Sequence, residues 1–219
     1  MTSNPPDSAG VFIALEGGEG VGKSTQERML AEYLVAKGHE VVRTREPGGT
    51  PVAEEIRRIL LTPRADGLDA HAEALLFAAA RAEHVARVIR PALDRGSVVI
   101  CDRFLDSSVA YQGLGRELGA DVIRDLSLWA TGGLVPDLVI VLDLDPVIGL
   151  GRLVSADRLE REPLEYHQRV RAGFTALAAD HPDRYDLIDA ANTPTGVAAA
   201  IRERVDDLLA RRGRLGSSS

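Results

Sequence analysis

Residues 16–25 read EGGEGVGKST. Gly17, four further residues, then Gly22, Lys23 and Ser24 fit G-x-x-x-x-G-K-[ST], a loop whose glycines let consecutive backbone N–H groups close around a phosphate. A short apolar run at 11–15 predicts a strand before the loop, and 24–37 predicts an amphipathic helix after it. That helix carries Met29, Leu30, Tyr33 and Leu34 on one face, with Gly38 where a left-handed cap is wanted. In this setting Lys23 reaches the β and γ phosphates of a nucleoside triphosphate, Ser24 can ligate magnesium, and the helix start adds its positive end. The competing reading, a glycine turn matched by chance, leaves both the lysine and the hydroxyl unexplained.

The same alternation continues along the chain. Runs at 40–44, 97–101, 138–144 and 184–189 predict four more strands, and 68–93, 121–130, 147–154, 164–179 and 195–211 predict helices. Strands alternating with helices make a parallel sheet covered on its faces, so the expected class is α/β with five parallel strands. The helix at 68–93 is long and apolar, with Leu75, Leu76, Ala79, Ala82, Ala86 and Ile89 at helical spacing, and one face could serve a partner subunit as well as the core. A chain of 219 residues suits one domain, taken as 11–212, between small polar tails at 1–10 and 213–219 that are expected to be mobile.

Composition excludes several classes of function. A formal net charge of -7 argues against a partner held through an extended phosphate backbone, so no nucleic acid is expected. No apolar run approaches the roughly 20 residues that span a bilayer, so no membrane insertion is expected. Residues 1–10 lack a basic and then apolar leader, the lone Cys101 cannot close an intrachain disulfide, and the chain reads as cytoplasmic. His39, His71, His84, His167 and His181 share no ligand spacing with Cys, Asp or Glu, so zinc is not expected. Cys101 reads as a buried core thiol and Trp129 as core or interface. Asp143 either touches the nucleotide or caps the helix after Pro146.

A phosphate-binding loop does not name the reaction. The chain lacks the N-K-x-D or T-K-x-D that reads guanine, and Gly18 stands where partitioning-type ATPases carry a signature lysine. Three other stretches narrow the choice: TREPGGT at 44–50, LLFAAARAEH at 75–84 and CDRFLDSSVAYQG at 101–113. They lie at or beside the carboxyl ends of predicted strands, where open α/β sheets bind ligands. Together with 16–25 they resemble the bacterial thymidylate kinases, which move the γ-phosphoryl of ATP onto dTMP, and the resemblance runs from about 11 to 211.

That resemblance implies a three-layer P-loop kinase fold, ATP with Mg2+ as donor, dTMP as acceptor, a homodimer and a short lid at about 151–162. It makes Gly17, Gly18, Glu19, Gly20, Val21, Gly22, Lys23, Ser24 and Thr25 the ATP loop. Arg103 would grip the acceptor phosphate with Arg57, and Asp102 would join Ser24 near magnesium. An acceptor phosphate already anionic at neutral pH needs no strong base, so catalysis reduces to positioning and charge neutralisation. By the same resemblance Phe77 would stack on thymine, Arg81 would bond its carbonyl edge, and Ser108 and Gln112 would address the ring nitrogen and its neighbours. Tyr111 would lie under the sugar, and Glu46 would hold the sugar or orient the arginines. The loop interior holds no arginine, so Arg152 and Arg158 of the lid are expected to join Lys23, Asp102 and Arg103 as the catalytic set, with Glu19 paired to an acceptor-side or lid arginine. Two alternatives stay open: another nucleoside or nucleoside monophosphate kinase with a different base pocket, and a P-loop ATPase switch that turns over without an acceptor.

Overall fold

Strand β1 (Val11–Gly17) is buried along its whole length because it runs through the middle of the sheet. The computed structural model describes residues 10–63, 67–154 and 157–216, with side chains described as far as Arg212. Around β1, strands β2 (Val41–Arg45), β3 (Val98–Asp102), β4 (Leu138–Asp143) and β5 (Tyr185–Asp189) pair in parallel in the order β2-β3-β1-β4-β5. The expected five-stranded parallel sheet is present. Side-chain alternation sends Val11, Ile13 and Leu15 to one face and Phe12 and Ala14 to the other. The first face packs on Leu30 and Leu34 of α1 (Lys23–Ala36) and on Ile201 and Val205 of α9 (Pro194–Gly216). The second packs on Ile123 of α6 (Ala120–Thr131) and on Val170 and Phe174 of α8 (Leu164–Asp180), so helices cover both faces. In the β1–β3 ladder Leu15 lies opposite Asp102, which sets the loop after β1 beside the residues after β3 at the point where the strand order reverses.

The long helix differs from the expected continuous 68–93. Helix α3 (Ala70–His84) starts after Asp69, whose carboxylate accepts the N–H groups of His71 and Ala72. It then widens into a π turn (Val85–Ile89) before α4 (Arg90–Asp94). Pro91 has no N–H to give the preceding turn, and the Arg90 N–H reaches back to the carbonyl of Val85, which absorbs the mismatch. A second π turn (Val109–Gly115) follows the short α5 (Leu105–Ser108). Helix α2 (Pro51–Leu61) is capped by Thr50, whose hydroxyl accepts from the Ala53 N–H.

Further expectations need correction. The helix expected at 147–154 is only α7 (Pro146–Leu150), and its cap is Asp145, not Asp143. Asp143 is instead held by the guanidinium of Arg171 at 2.7 and 2.8 Å. Trp129 is 82% exposed, so it is not a core residue of this chain, whereas Cys101 is buried as expected. Helix α9 continues past 211 to Gly216, and Gly10 is fixed by its N–H on the Leu93 carbonyl. Residues 1–9 and 217–219 of the expected tails, and 155–156 of the expected lid, lie outside the described residues. Among the described residues no helix is long and apolar enough to cross a membrane.

Candidate active site

The phosphate loop begins where β1 ends. Gly22 sits at φ 95° just before α1, a left-handed turn that a side chain would strain. Lys23 folds back over the loop, its Nζ donating to the carbonyls of Gly18 at 2.7 Å and Gly17 at 3.3 Å. Burial, and Arg103 nearby, push the Lys23 pKa down. Ser24 Oγ donates to Asp102 Oδ2 at 3.0 Å, tying the start of α1 to the end of β3.

Arg103 follows at φ 70°, a conformation rare for a side-chain-bearing residue and one found where the surroundings over-determine it. Its Nη1 donates to Gly17 O at 2.8 Å and Ser107 Oγ at 3.2 Å, and its Nη2 to Glu19 Oε1 at 2.9 Å. Tyr111 OH donates to the same Glu19 oxygen at 2.6 Å. The loop carboxylate therefore pairs with Arg103, the arginine expected from the sequence to grip the acceptor phosphate. Burial alone would raise the Glu19 pKa, but Arg103, Lys23 and the Tyr111 hydroxyl hold it down to about 2. Glu16, beneath the same turn, goes the other way: burial and Asp106 push it up to about 8, although it accepts the N–H groups of Phe104 and Ser107.

Arg81 organises the opposite wall. Only 1% exposed, it donates from Nε to Glu46 Oε2 at 2.7 Å, from Nη1 to Ser127 Oγ at 3.1 Å, and from Nη2 to Phe104 O at 3.1 Å and Ser108 Oγ at 3.0 Å. A guanidinium carries five N–H donors, so after these bonds one on Nη1 remains. The other Glu46 oxygen lies 3.1 Å from His84 Nδ1, and His84 Nε2 lies 2.6 Å from Thr44 Oγ1. Arg81 and His84 thus hold Glu46 between them. Phe77 packs with Leu60 and Leu159 in a small apolar cluster. Arg57 Nη1 donates to Pro47 O at 2.8 Å, and burial together with Arg45 lowers its pKa.

Between these walls lies a cavity of about 500 Å³. Residues 19–25, Asp102, Arg152 and every acceptor-side residue named from the sequence line it; Gly17 and Gly18 lie behind, under Lys23 and Arg103. Arg152 Nη1 donates to Gly20 O at 3.1 Å. Arg158, expected beside it, is not brought to the cavity. Its Nε donates to Leu60 O at 2.6 Å and its guanidinium pairs at 2.6 Å with Glu73, a fully buried carboxylate that draws it behind the wall. Sequence reasoning also missed His84, Glu73, and the cavity residues Arg45, Ser107, Asp157 and Glu160. Glu73 had a readable signal: it stands one turn before Phe77 and two before Arg81 on the same helix face.

The oxygens of Ser24 and Asp102 suit a hard divalent cation that keeps waters and phosphate oxygens as its other ligands. Among the described residues no group of three or more His, Cys, Asp or Glu is arranged to cage a metal.

A family model described as thymidylate kinase matches residues 15–201, a stretch that includes the phosphate loop and both walls of the cavity. The chain belongs to the thymidylate kinase family. The thymidylate kinase of Leifsonia xyli subsp. xyli is 56% identical over 208 residues, which cover 93% of this chain and 98% of that one. The thymidylate kinase of Symbiobacterium thermophilum is 52% identical over 206 residues, 93% of this chain and 96% of that one. A crystal structure of thymidylate kinase from Ehrlichia chaffeensis superposes with a TM-score of 0.74 at 35% identity, over 90% of this chain and 98% of that one.

Proposed function

We propose that the protein transfers the γ-phosphoryl group of ATP to dTMP, giving dTDP and ADP by direct in-line displacement. The observation that carries this reading is one cavity with two chemically different walls, the phosphate loop on one side and Arg103, Phe77 and Gln112 on the other, joined by the Ser24–Asp102 hydrogen bond. Residues 17–25 hold the ATP phosphates, with Lys23 leaving the carbonyls of Gly17 and Gly18 to meet the β and γ groups. Ser24 and Asp102 would hold Mg2+, which supplies charge neutralisation between donor and acceptor when bound with ATP.

Arg103 and Arg57 grip the acceptor phosphate, and a guanidinium fork suits its oxygens. Phe77 stacks on thymine, the remaining Arg81 N–H meets a carbonyl oxygen, Ser108 and Gln112 meet the ring nitrogen and its neighbours, and Tyr111 lies under the sugar. Glu46, fixed by Arg81 and His84, lines the pocket beside them. Arg152 brings the lid charge to the transferring group; Arg158 would have to leave Glu73 to do the same. Leu75 on α3 and Trp129 on α6, 59% and 82% exposed on helices that pack together, support a homodimer. A nucleotide-consuming enzyme with one buried, unpaired cysteine suits the cytoplasm.

ADP release tests the reading, measured with ATP and magnesium against dTMP, dUMP, UMP, CMP, AMP and GMP. Strong turnover on dTMP, weaker on dUMP and negligible on the rest is expected. Equal ADP release with no acceptor would favour a P-loop switch, and preference for another monophosphate would overturn the base pocket.

A further inference from the structure

We propose that Glu73 fixes which end of the Gln112 amide faces the base, so that the pocket takes only pyrimidines carrying a proton on N3. The inference rests on the reading of the cavity as the pocket for the acceptor base.

A glutamine amide has a donor end and an acceptor end of nearly the same shape. Left free, Gln112 could turn either end to a ligand and serve a base that donates at N3 or one that accepts there. Glu73 removes that freedom. It is fully buried, and its Oε1 accepts Gln112 Nε2 at 2.8 Å. Arg116 contacts both of its oxygens, with Nε 3.3 Å from Oε1 and Nη2 3.2 Å from Oε2, and Arg158 pairs with Oε2 at 2.6 Å. Two guanidiniums and the amide NH2 all donate to this one group, so its oxygens are used as acceptors throughout. Turning Gln112 over would set its carbonyl oxygen against a carboxylate oxygen in a buried site, two acceptors facing each other with no proton between them. The amide NH2 is therefore held inward, and the carbonyl oxygen is the end left for the cavity that Gln112 lines. An acceptor there pairs with the N3–H of thymine or uracil and repels the bare N3 lone pair of cytosine. The discrimination comes from a repulsive element built in against the wrong base, and the carboxylate that sets it need not touch the ligand.

Competition assays test this: KM for dTMP and the inhibition constant of dCMP, measured for the unaltered enzyme, Glu73→Gln and Gln112→Ala. The Glu73→Gln amide can accept or donate, so Gln112 becomes free to turn. The ratio of the dCMP inhibition constant to the dTMP KM is expected to narrow by about tenfold or more, with kcat at saturating dTMP changing less. Weakening of both nucleotides by the same factor in Glu73→Gln, with the ratio unmoved, would mean that Glu73 only supports the fold, and would overturn the proposal. If Gln112→Ala leaves both constants unchanged, the base pocket itself has been misread and both fall; if Gln112→Ala narrows the ratio and Glu73→Gln does not, only the role of Glu73 falls. A measurement on the unaltered protein does not depend on how the variants fold. The Gln112 side-chain 15N–1H signals, assigned by their loss in Gln112→Ala, should exchange slowly with solvent before any dTMP is added. Fast exchange that slows only on adding dTMP would put the NH2 in the cavity and contradict the proposal.

Discussion

Glu16 near the end of β1 and Glu19 in the loop that follows stand three residues apart and are driven in opposite directions. Glu16, raised from 4.5 to about 8, keeps in the folded state a proton that the unfolded chain loses. Its contribution to stability is complete below the unfolded value near 4.5 and is lost as pH rises towards 8. Glu19, lowered to about 2, does the reverse: its contribution is present above 4.5 and is lost as pH falls towards 2. Glu16→Gln removes only the first dependence while keeping an acceptor for the Phe104 and Ser107 N–H groups. The melting temperature of the variant relative to the unaltered protein should therefore rise between pH 5 and pH 8; a constant difference would contradict the assignment. As cavity residues, Lys23 and Ser24 were legible because they belong to a short motif whose chemistry is local, and Asp102 and Arg103 because the stretch at 101–113 carries the family resemblance. Glu73 and His84 were not, because their partners lie far along the chain, Gln112 and Arg158 for one and Thr44 and Glu46 for the other. Arg158 read as a lid cation because charge pattern does not tell which way a guanidinium turns.

Short apolar runs marked every strand, because strands covered on both faces need no polar side, and the spacing of three to four marked most helices, which bury one face. Periodicity could not reveal the two π turns, because one extra residue in a turn shifts the stripe without erasing it; only Pro91 gave a local cue. Nor could it reveal how closely α7 approaches the phosphate loop. A Cβ at Gly149 would lie 2.2 Å from the carbonyl oxygen of Glu19, so Gly149→Ala must move α7 or the loop. Displacement of about 1 Å at a phosphate-positioning loop can cost ~10²-fold, so kcat/KM should fall by about that factor while the far-ultraviolet spectrum is retained. Unchanged kinetics would show that the contact gives way freely. On α2 the effect should be on stability: Thr50→Ala removes the acceptor for the Ala53 N–H and should cost about 1 kcal/mol by urea denaturation.

The whole molecule places its chemistry through strand order. With β1 between β3 and β4, the loop after β1 and the turn after β3 emerge side by side, and Phe77 and Arg81 of α3 with Arg152, Leu153, Asp157, Leu159 and Glu160 line further sides of the cavity. Leu75, Val122 and Trp129 are exposed apolar side chains on α3 and α6, the surface assigned to a second copy in the proposed homodimer. Sedimentation should report about twice 23.5 kDa, and Leu75→Asp with Trp129→Asp should bring it to a single chain; a single chain before substitution would rule out the dimer. The function itself is tested by the fate of the γ-phosphoryl group. Labelled on that group, ATP is incubated with magnesium, with and without dTMP, using the unaltered enzyme and Arg103→Ala, and the nucleotides are separated. The label should appear in dTDP only when dTMP is present and fall by ~10²-fold or more in Arg103→Ala. Label released as inorganic phosphate at the same rate without dTMP, and unaffected by Arg103→Ala, would contradict the assignment of a phosphoryl acceptor to this cavity.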